Sequence, residues 1–151
     1  ITLGMGTERG HENEVRVISV GMDIERPYDP QTGNATGNLK QSPVIIAKPI
    51  DPLGPRLVQM MADNRALQVT CRFFGNSYAG GGAEELRLTI VLKDARIVEM
   101  ATFSGEDWGV NETIIFPREE VRLVYKELTI TEEYAGTTTT LTWGNINPAS
   151  Q

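Results

Sequence analysis

The chain has 151 residues, of which 40% are hydrophobic and 23% charged, proportions typical of a single globular domain spanning residues 1–151. Its 14 lysines and arginines stand against 20 aspartates and glutamates, which gives a formal net charge of −6. A protein that neutralises nucleic-acid phosphates needs a basic face, so this balance argues against DNA or RNA as a partner.

No targeting feature is visible in the sequence. No apolar run approaches the ~20 residues of a membrane span, and the N-terminus lacks a basic and then apolar signal peptide. The single cysteine, Cys71, has no second cysteine to pair with, so nothing marks an oxidising compartment. We therefore expect synthesis in the cytoplasm and no membrane insertion.

The first apolar pattern changes phase along its length. Two valines alternate and then give way to a run shifted by one residue, the members being Val15, Val17, Ile18, Val20, Met22 and Ile24. A phase slip of this kind predicts a strand with a β-bulge or strong bend.

Residues 26–42 contain no periodic apolar pattern and many turn-forming residues. A connection of this length is long for a compact domain, and such loops commonly carry function. The sequence predicts a long extended loop here.

The segment that follows predicts the one helix, over about residues 53–63. Asp51 and Pro52 suit an N-cap and a first turn. Apolar residues then recur at helical spacing, namely Leu53, Leu57, Val58, Met60 and Met61.

Alternating strands fill the rest of the chain. Period-two apolar patterns cover 67–73, 86–93 and 121–126, with another phase slip before Leu128, and the threonine-rich stretch 137–143 suits a final strand. Turn-rich tracts at 75–82 and 104–111 connect them. The predicted fold class is mainly β, an antiparallel β-barrel or two packed sheets, with seven to nine strands and one helix.

The residues needed for catalysis are scarce. His11 lies in polar sequence and reads as a surface hydrogen-bonding residue, while Cys71 is in phase with Leu67, Val69 and Phe73 and is expected to be a small buried hydrophobe. The glycine run at 80–82 lacks the lysine and helix of a phosphate-binding loop. We predict no catalytic residues, no cofactor and no metal site.

Adjacent glutamates are the remaining candidates for acid–base chemistry, in the pairs 84–85, 119–120 and 132–133. Neighbours on a strand point to opposite faces, so these pairs are expected to be solvated strand ends and hairpin edges. The tract from Asp29 to Asn38 has a single carboxylate, too few for a calcium loop.

Six segments, in order, resemble the Hcp family, the tube-forming subunit of bacterial type VI secretion systems. They are GHENEVRV at 10–17, DPQTGNATGNLKQSPVIIAKPID at 29–51, PLGPRLVQMMADNRALQVTCRFF at 52–74, ELRLTIVLKDARIVEM at 85–100, NETIIFPREEVRLVYKEL at 111–128 and LTWGNI at 141–146. The resemblance covers residues 10–146. The opening, ITLGMGTERGHE, departs from the strand with which family members begin.

The resemblance implies a structural protein without enzymatic activity, which forms hexameric rings that stack into a tube. A contracting sheath would drive the tube out of the cell. The tube would carry a spike protein, and small effectors would travel inside its lumen. The long loop would reach the neighbouring ring, and its expected contact residues are Tyr28, Asp29, Pro30, Gln31, Thr32, Gly33, Asn34, Gly37 and Asn38.

Two alternatives remain open. A tail-tube protein of a phage-like contractile particle would share the architecture. A monomeric β-sandwich that binds a carbohydrate or peptide would present an aromatic platform, for which Tyr78, Phe103 and Trp108 are the candidates.

Overall fold

The structure is a computed structural model and describes residues 10–77, 80–103 and 117–143. The described residues form one helix, α1, and nine strands. Their bounds are β1 Ser19–Gly21, β2 Ile24–Glu25, β3 Lys40–Gln41, β4 Val44–Pro49, α1 Gly54–Ala62, β5 Leu67–Asn76, β6 Glu84–Phe103, β7 Arg118–Val124, β8 Glu127–Glu132 and β9 Thr137–Thr142.

The chain divides into two units, and β6 contributes to both. The first contains the described residues 10–23, 43–65, 97–103 and 117–123. In it β1 pairs with β4, β4 pairs with β7, and β7 lies next to β6. The inward row pairs Val44 with Leu123 and then Ile46 with Val121, so period-two alternation places apolar side chains on one face.

The second unit contains the described residues 24–42, 66–77, 80–96 and 124–143. Strands β5 and β8 flank β6, and β9 pairs with β8, all antiparallel. Its buried row includes Ile90, Leu92 and Leu128, the last two with 0% exposure. Strands β2 and β3 form a separate two-stranded sheet.

The predicted fold class, mainly β and antiparallel with one short helix, is confirmed. The helix lies within the predicted range, but its N-cap is Leu53 and not Asp51, and Leu53 makes no side-chain capping bond. Asp51 lies two residues earlier, and its carboxylate accepts the backbone N–H of Leu53 at 2.8 Å. The capping prediction is wrong because the bond from the Gly54 N–H to the Asp51 carbonyl spans only three residues, and the first bond of the helical i→i+4 type joins Leu57 to Leu53.

The first predicted phase slip, between Val17 and Ile18, lies just before β1, and the second falls where β7 ends and β8 begins. Neither slip lies within a strand, so neither is a β-bulge, and the chain bends at Ile18 and at Lys126. The register instead shifts between β5 and β6, at Leu67/Val69 and at Phe73/Phe74. Asp94, near the first shift, has a φ of 47° in the left-handed region.

The connection over 75–82 is a hairpin, closed by the N–H of Ser77 donating to the carbonyl of Ala83 at 2.9 Å. The tract 104–111, with Trp108, and Tyr78 lie outside the described residues. Among the described residues no helix combines the length and apolar character needed to span a bilayer.

Candidate functional site

Residues 24–42 form an ordered β-hairpin, although the sequence predicted an extended loop. Strands β2 and β3 pair at its base through Ile24–Gln41 and Glu25–Lys40. An isolated bridge between Tyr28 and Ala35 continues the pairing toward the tip. Since backbone pairs recur along both arms, the hairpin presents a defined surface and is not a structureless excursion.

The tip is organised by Asp29. Its N–H donates to the carbonyl of Asn34 at 2.8 Å, and its own carbonyl accepts the N–H of Gly33 at 2.8 Å. Gly33 has a φ of 72°, a conformation that glycine adopts without steric cost. These backbone bonds close a turn that the sequence DPQTGN encodes locally.

The Asp29 carboxylate adds a second set of bonds. One oxygen accepts the N–H of Gln31 at 2.9 Å and the other accepts the hydroxyl of Thr32 at 3.1 Å. The Gln31 N–H, followed by the Thr32 hydroxyl, lowers the pKa of Asp29. The carboxylate is therefore ionised at neutral pH and holds the tip in one conformation.

The arms behind the tip are also in contact. The N–H of Thr36 donates to the carbonyl of Pro27 at 2.9 Å. A β-carbon at Gly37 would lie in ordinary van der Waals contact with the Pro27 ring, at 3.4 Å. Tyr28 projects beside it with 65% of its surface exposed.

The structure places all nine predicted contact residues on this one hairpin. All of them except Asp29 are exposed, and Asp29 is half-buried because it bonds within the turn. Tyr28 to Asn34 form the outgoing arm and tip, whereas Gly37 and Asn38 lie on the returning arm. The role of Asp29 as turn organiser could have been found from the Asp-x-x-x-Gly spacing.

His11 and Cys71, the two residues considered for catalysis, both have structural roles. His11 bonds through Nδ1 to the Glu14 carboxylate at 2.5 Å. Cys71 pairs with Ile90 and is half-buried, and burial raises the pKa of its thiol to about 11. A thiol in this state is a poor nucleophile near neutral pH.

Glu119 overturns one expectation. It was predicted to be a solvated strand residue, but it is buried with 7% exposure and contacts Lys48 Nζ at 2.7 Å. Lys48 itself is only 2% exposed. The prediction failed because each residue is in phase with the buried row of its strand, and only the β4–β7 pairing brings the two charges together.

Three of the other paired glutamates, Glu85, Glu132 and Glu133, lie at hairpins, whereas Glu120 lies within β7 opposite Ala47. Both oxygens of Glu132 accept backbone N–H groups in the turn between β8 and β9, from Tyr134 at 3.1 Å and Ala135 at 2.7 Å. Glu85 accepts the hydroxyl of Ser77, and Glu133 accepts that of Thr89. These contacts agree with their predicted place at hairpin edges.

A cavity of about 270 Å³ lies in the second unit, lined by Asp94, Arg96, Val124, Tyr125, Lys126 and Trp143. Tyr125 and Trp143 meet edge to face with centroids 5.0 Å apart. Lys126, foremost, and Arg96 lower the pKa of Asp94, which contacts their nitrogens at 2.8 and 3.2 Å. Asp94 is the one carboxylate among these lining residues, and its two cationic contacts favour its ionised form.

Within residues 10–77, 80–103 and 117–143, histidine, cysteine and carboxylate side chains form no group of three or more that could hold a metal ion. Of the proposed aromatic platform, only Phe103 is described, and Arg118 stacks on its ring at 5.3 Å.

Comparison with known proteins gives one consistent result. A family model described as "Type VI secretion system effector, Hcp" matches residues 2–132. The Major exported protein of Pseudomonas aeruginosa is 29% identical over 143 residues, which are 94% of this chain and 82% of that protein.

Solved structures share the fold. The crystal structure of an Hcp protein superposes with a TM-score of 0.79 at 21% identity, covering 90% of this chain and 80% of that one. Hcp1 from E. coli EAEC 042 gives 0.78 at 20% identity, covering 93% and 88%. The secreted protein Hcp3 from Pseudomonas aeruginosa gives 0.67 at 26% identity, covering 90% and 80%.

Proposed function

The chain belongs to the Hcp family of type VI secretion system proteins, and from this premise we propose that it is a subunit of the inner secretion tube. Copies close into hexameric rings, and the rings stack into a tube that leaves the cell. The protein acts by assembly, without covalent chemistry. A hexameric ring requires head-to-tail contacts, in which each subunit uses two different surfaces.

The observation that carries this proposal is the ordered hairpin of residues 24–42. It is exposed along both arms, yet its tip is fixed by Asp29 and its base by β2 and β3. A preorganised projection loses little conformational entropy when it is bound, which suits a contact repeated at every ring. We assign it to the surface of the neighbouring ring.

The tube requires further partners. In this proposal a contractile sheath surrounds it, a spike protein caps it and small effectors travel in its lumen. The protein is made in the cytoplasm and then exported through the apparatus. The name of the Pseudomonas relative, Major exported protein, supports this route.

The assembly state tests the proposal directly. Native mass spectrometry and negative-stain imaging of the purified chain are expected to show six-membered rings. A particle that remains monomeric throughout the micromolar range would contradict it and would favour the β-sandwich binding module. Sheath and spike proteins encoded beside the gene would separate a type VI tube from a phage-like one.

The hairpin has its own test. Removing residues 29–38 is expected to leave rings intact and to prevent their stacking and export. A milder variant is Tyr28→Ser, matched by Tyr134→Ser on the β8–β9 turn, since both tyrosines are exposed, at 65% and 75%. Stacking should fall only in the first. Equal stacking in both tyrosine variants, with normal export of the deletion variant, would remove the role assigned to the hairpin.

A further inference from the structure

Helix α1 is weakly held by its own residues. It has nine residues, no side-chain capping bond, no acidic residue in its first turn and no basic residue in its last turn. Isolated helices shorter than about 12–15 residues are marginal in water. Its stability must therefore come from the unit against which it docks.

The apolar part of that docking is small. Within the helix only Gly54 and Met60 are buried, and Leu53 just before it is 8% exposed. Val58 faces outward with 48% of its surface exposed. Few buried contacts and an exposed outer face are typical of an element that opens locally.

A buried ionic triad lies at the start of the helix. The ammonium of Lys48 donates to Glu119 at 2.7 Å, to Asp51 at 2.8 Å and to the carbonyl of Pro49 at 2.9 Å. All three of its protons thus have acceptors, as burial of the group requires. The same Asp51 oxygen accepts the N–H of Leu53, which ties the helix start to the lysine.

Glu119 touches the helix as well. A β-carbon placed on Gly54 would overlap the Glu119 carboxylate, so the backbone of the first turn lies directly against it. Glu119 on β7 and Lys48 on β4 occupy paired positions. Two strands and the helix therefore meet at one cluster of three charges.

We propose that helix α1 is a latched element, which undocks from the first unit in a separate step, and that the Lys48–Asp51–Glu119 triad sets how often it opens. The three charges depend on one another. Without the lysine, the buried carboxylate of Glu119 and the half-buried carboxylate of Asp51 would remain close together and uncompensated. Undocking exposes Asp51 and Glu119 to water, and the strands keep their own backbone pairing. This inference holds whether or not the chain assembles into a tube.

Native-state hydrogen exchange of the whole chain tests the latch. In Lys48→Met, the α1 amides (54–62) are expected to exchange at least about tenfold faster than in the unaltered protein. The amides of β8, in the second unit, should stay within about threefold. The matched control is Lys93→Met, which breaks the exposed Lys93–Glu127 pair and should leave α1 unchanged.

A second variant guards against loss of folding. Asp51→Asn keeps a side-chain oxygen for Leu53 and Lys48 but removes one charge, so it should accelerate α1 exchange less than Lys48→Met does. The latch is rejected if the α1 amides of the unaltered protein exchange only with the strands, in one global event. It is also rejected if both triad variants leave α1 exchange unchanged, or accelerate α1, β7 and β8 equally.

Discussion

Cys71 is a half-buried residue whose thiol is a poor nucleophile. It lies on β5 in phase with the half-buried Leu67, Val69 and Phe73, and its neighbour across the sheet is Ile90. Burial favours the uncharged thiol and raises its pKa to about 11. The residue is therefore a packing residue, as its position in the alternation predicted.

We predict that Cys71 reacts slowly with thiol reagents. Burial raises the thiol pKa from 9.0 to about 11, so at pH 8 the folded protein should react roughly a hundredfold more slowly than the unfolded chain. A disulfide reagent added with and without guanidinium measures both rates, and no second cysteine interferes. Similar rates in the two states would mean that the thiol is accessible in the fold.

The same shift predicts a loss of stability at high pH. Between pH 9.0 and about 11 the unfolded chain loses the thiol proton while the folded state keeps it. The native state then binds more protons, so the free energy of unfolding falls as pH rises, by at most about 1.4 kcal/mol per unit. Cys71→Ala should lack this component when both are unfolded with denaturant across that range.

At the scale of single elements, the hairpin of residues 24–42 depends on bonds within itself. Its tip is closed by Asp29 and its base by four paired residues. No residue from 28 to 38 is buried. Its order is thus a local property, and disturbing it should leave the seven-stranded sheet intact.

We predict that Asp29→Ala loosens the tip without unfolding the protein. The N–H of Gln31 and the hydroxyl of Thr32 lose their acceptors, so limited proteolysis should cut within 29–34 several times faster. The free energy of unfolding should change by less than about 1 kcal/mol. Asp23→Ala, just before β2, is the control. Equally fast cleavage of this control variant would show that the effect is not specific to Asp29.

The regular backbone of strand β6 is interrupted at one residue, Asp94. Its 20 residues run from Glu84 to Phe103, well beyond the predicted 86–93. Asp94 takes a left-handed conformation within it, one residue beyond the Lys93–Glu127 pair at which the pairing with β8 ends. The strand continues past Asp94, and its residues 97–103 belong to the first unit.

At the scale of the whole molecule, charge governs how copies approach one another. Each chain carries a formal net charge of −6 and has a pI near 4.8. Copies brought together in a ring repel one another at neutral pH, and salt screens this repulsion. Assembly therefore has to overcome a cost that depends on ionic strength.

We predict that added salt shifts the proposed equilibrium toward rings. Sedimentation velocity at about 20 mM and about 300 mM salt, where the Debye length falls severalfold, should show a larger ring fraction at the higher value. Dissociation of rings by salt would instead mean that attractive ion pairs between copies outweigh the net repulsion.

The sequence by itself determined the class of fold and the position of its elements. Alternation identified β5 and β7, the β-branched threonines identified β9, and helical spacing placed α1 within a residue of its ends, whereas β8 was predicted as part of one run with β7. The segments that resemble the Hcp family identified the family, which the family model supports independently. All of these are local or ordered along the chain, so one sequence suffices to recognise them.

Only the tertiary structure decided which distant residues meet. Lys48 and Glu119 are 71 positions apart, and the sequence does not show that their two strands are paired. Each is in phase with a buried apolar row, so opposite charges in phase on two strands were the available signal. Pairing between strands brings such residues together, and a one-residue change of register would separate them. The hairpin tip differs because its bonds join near neighbours, and its turn was encoded in the sequence.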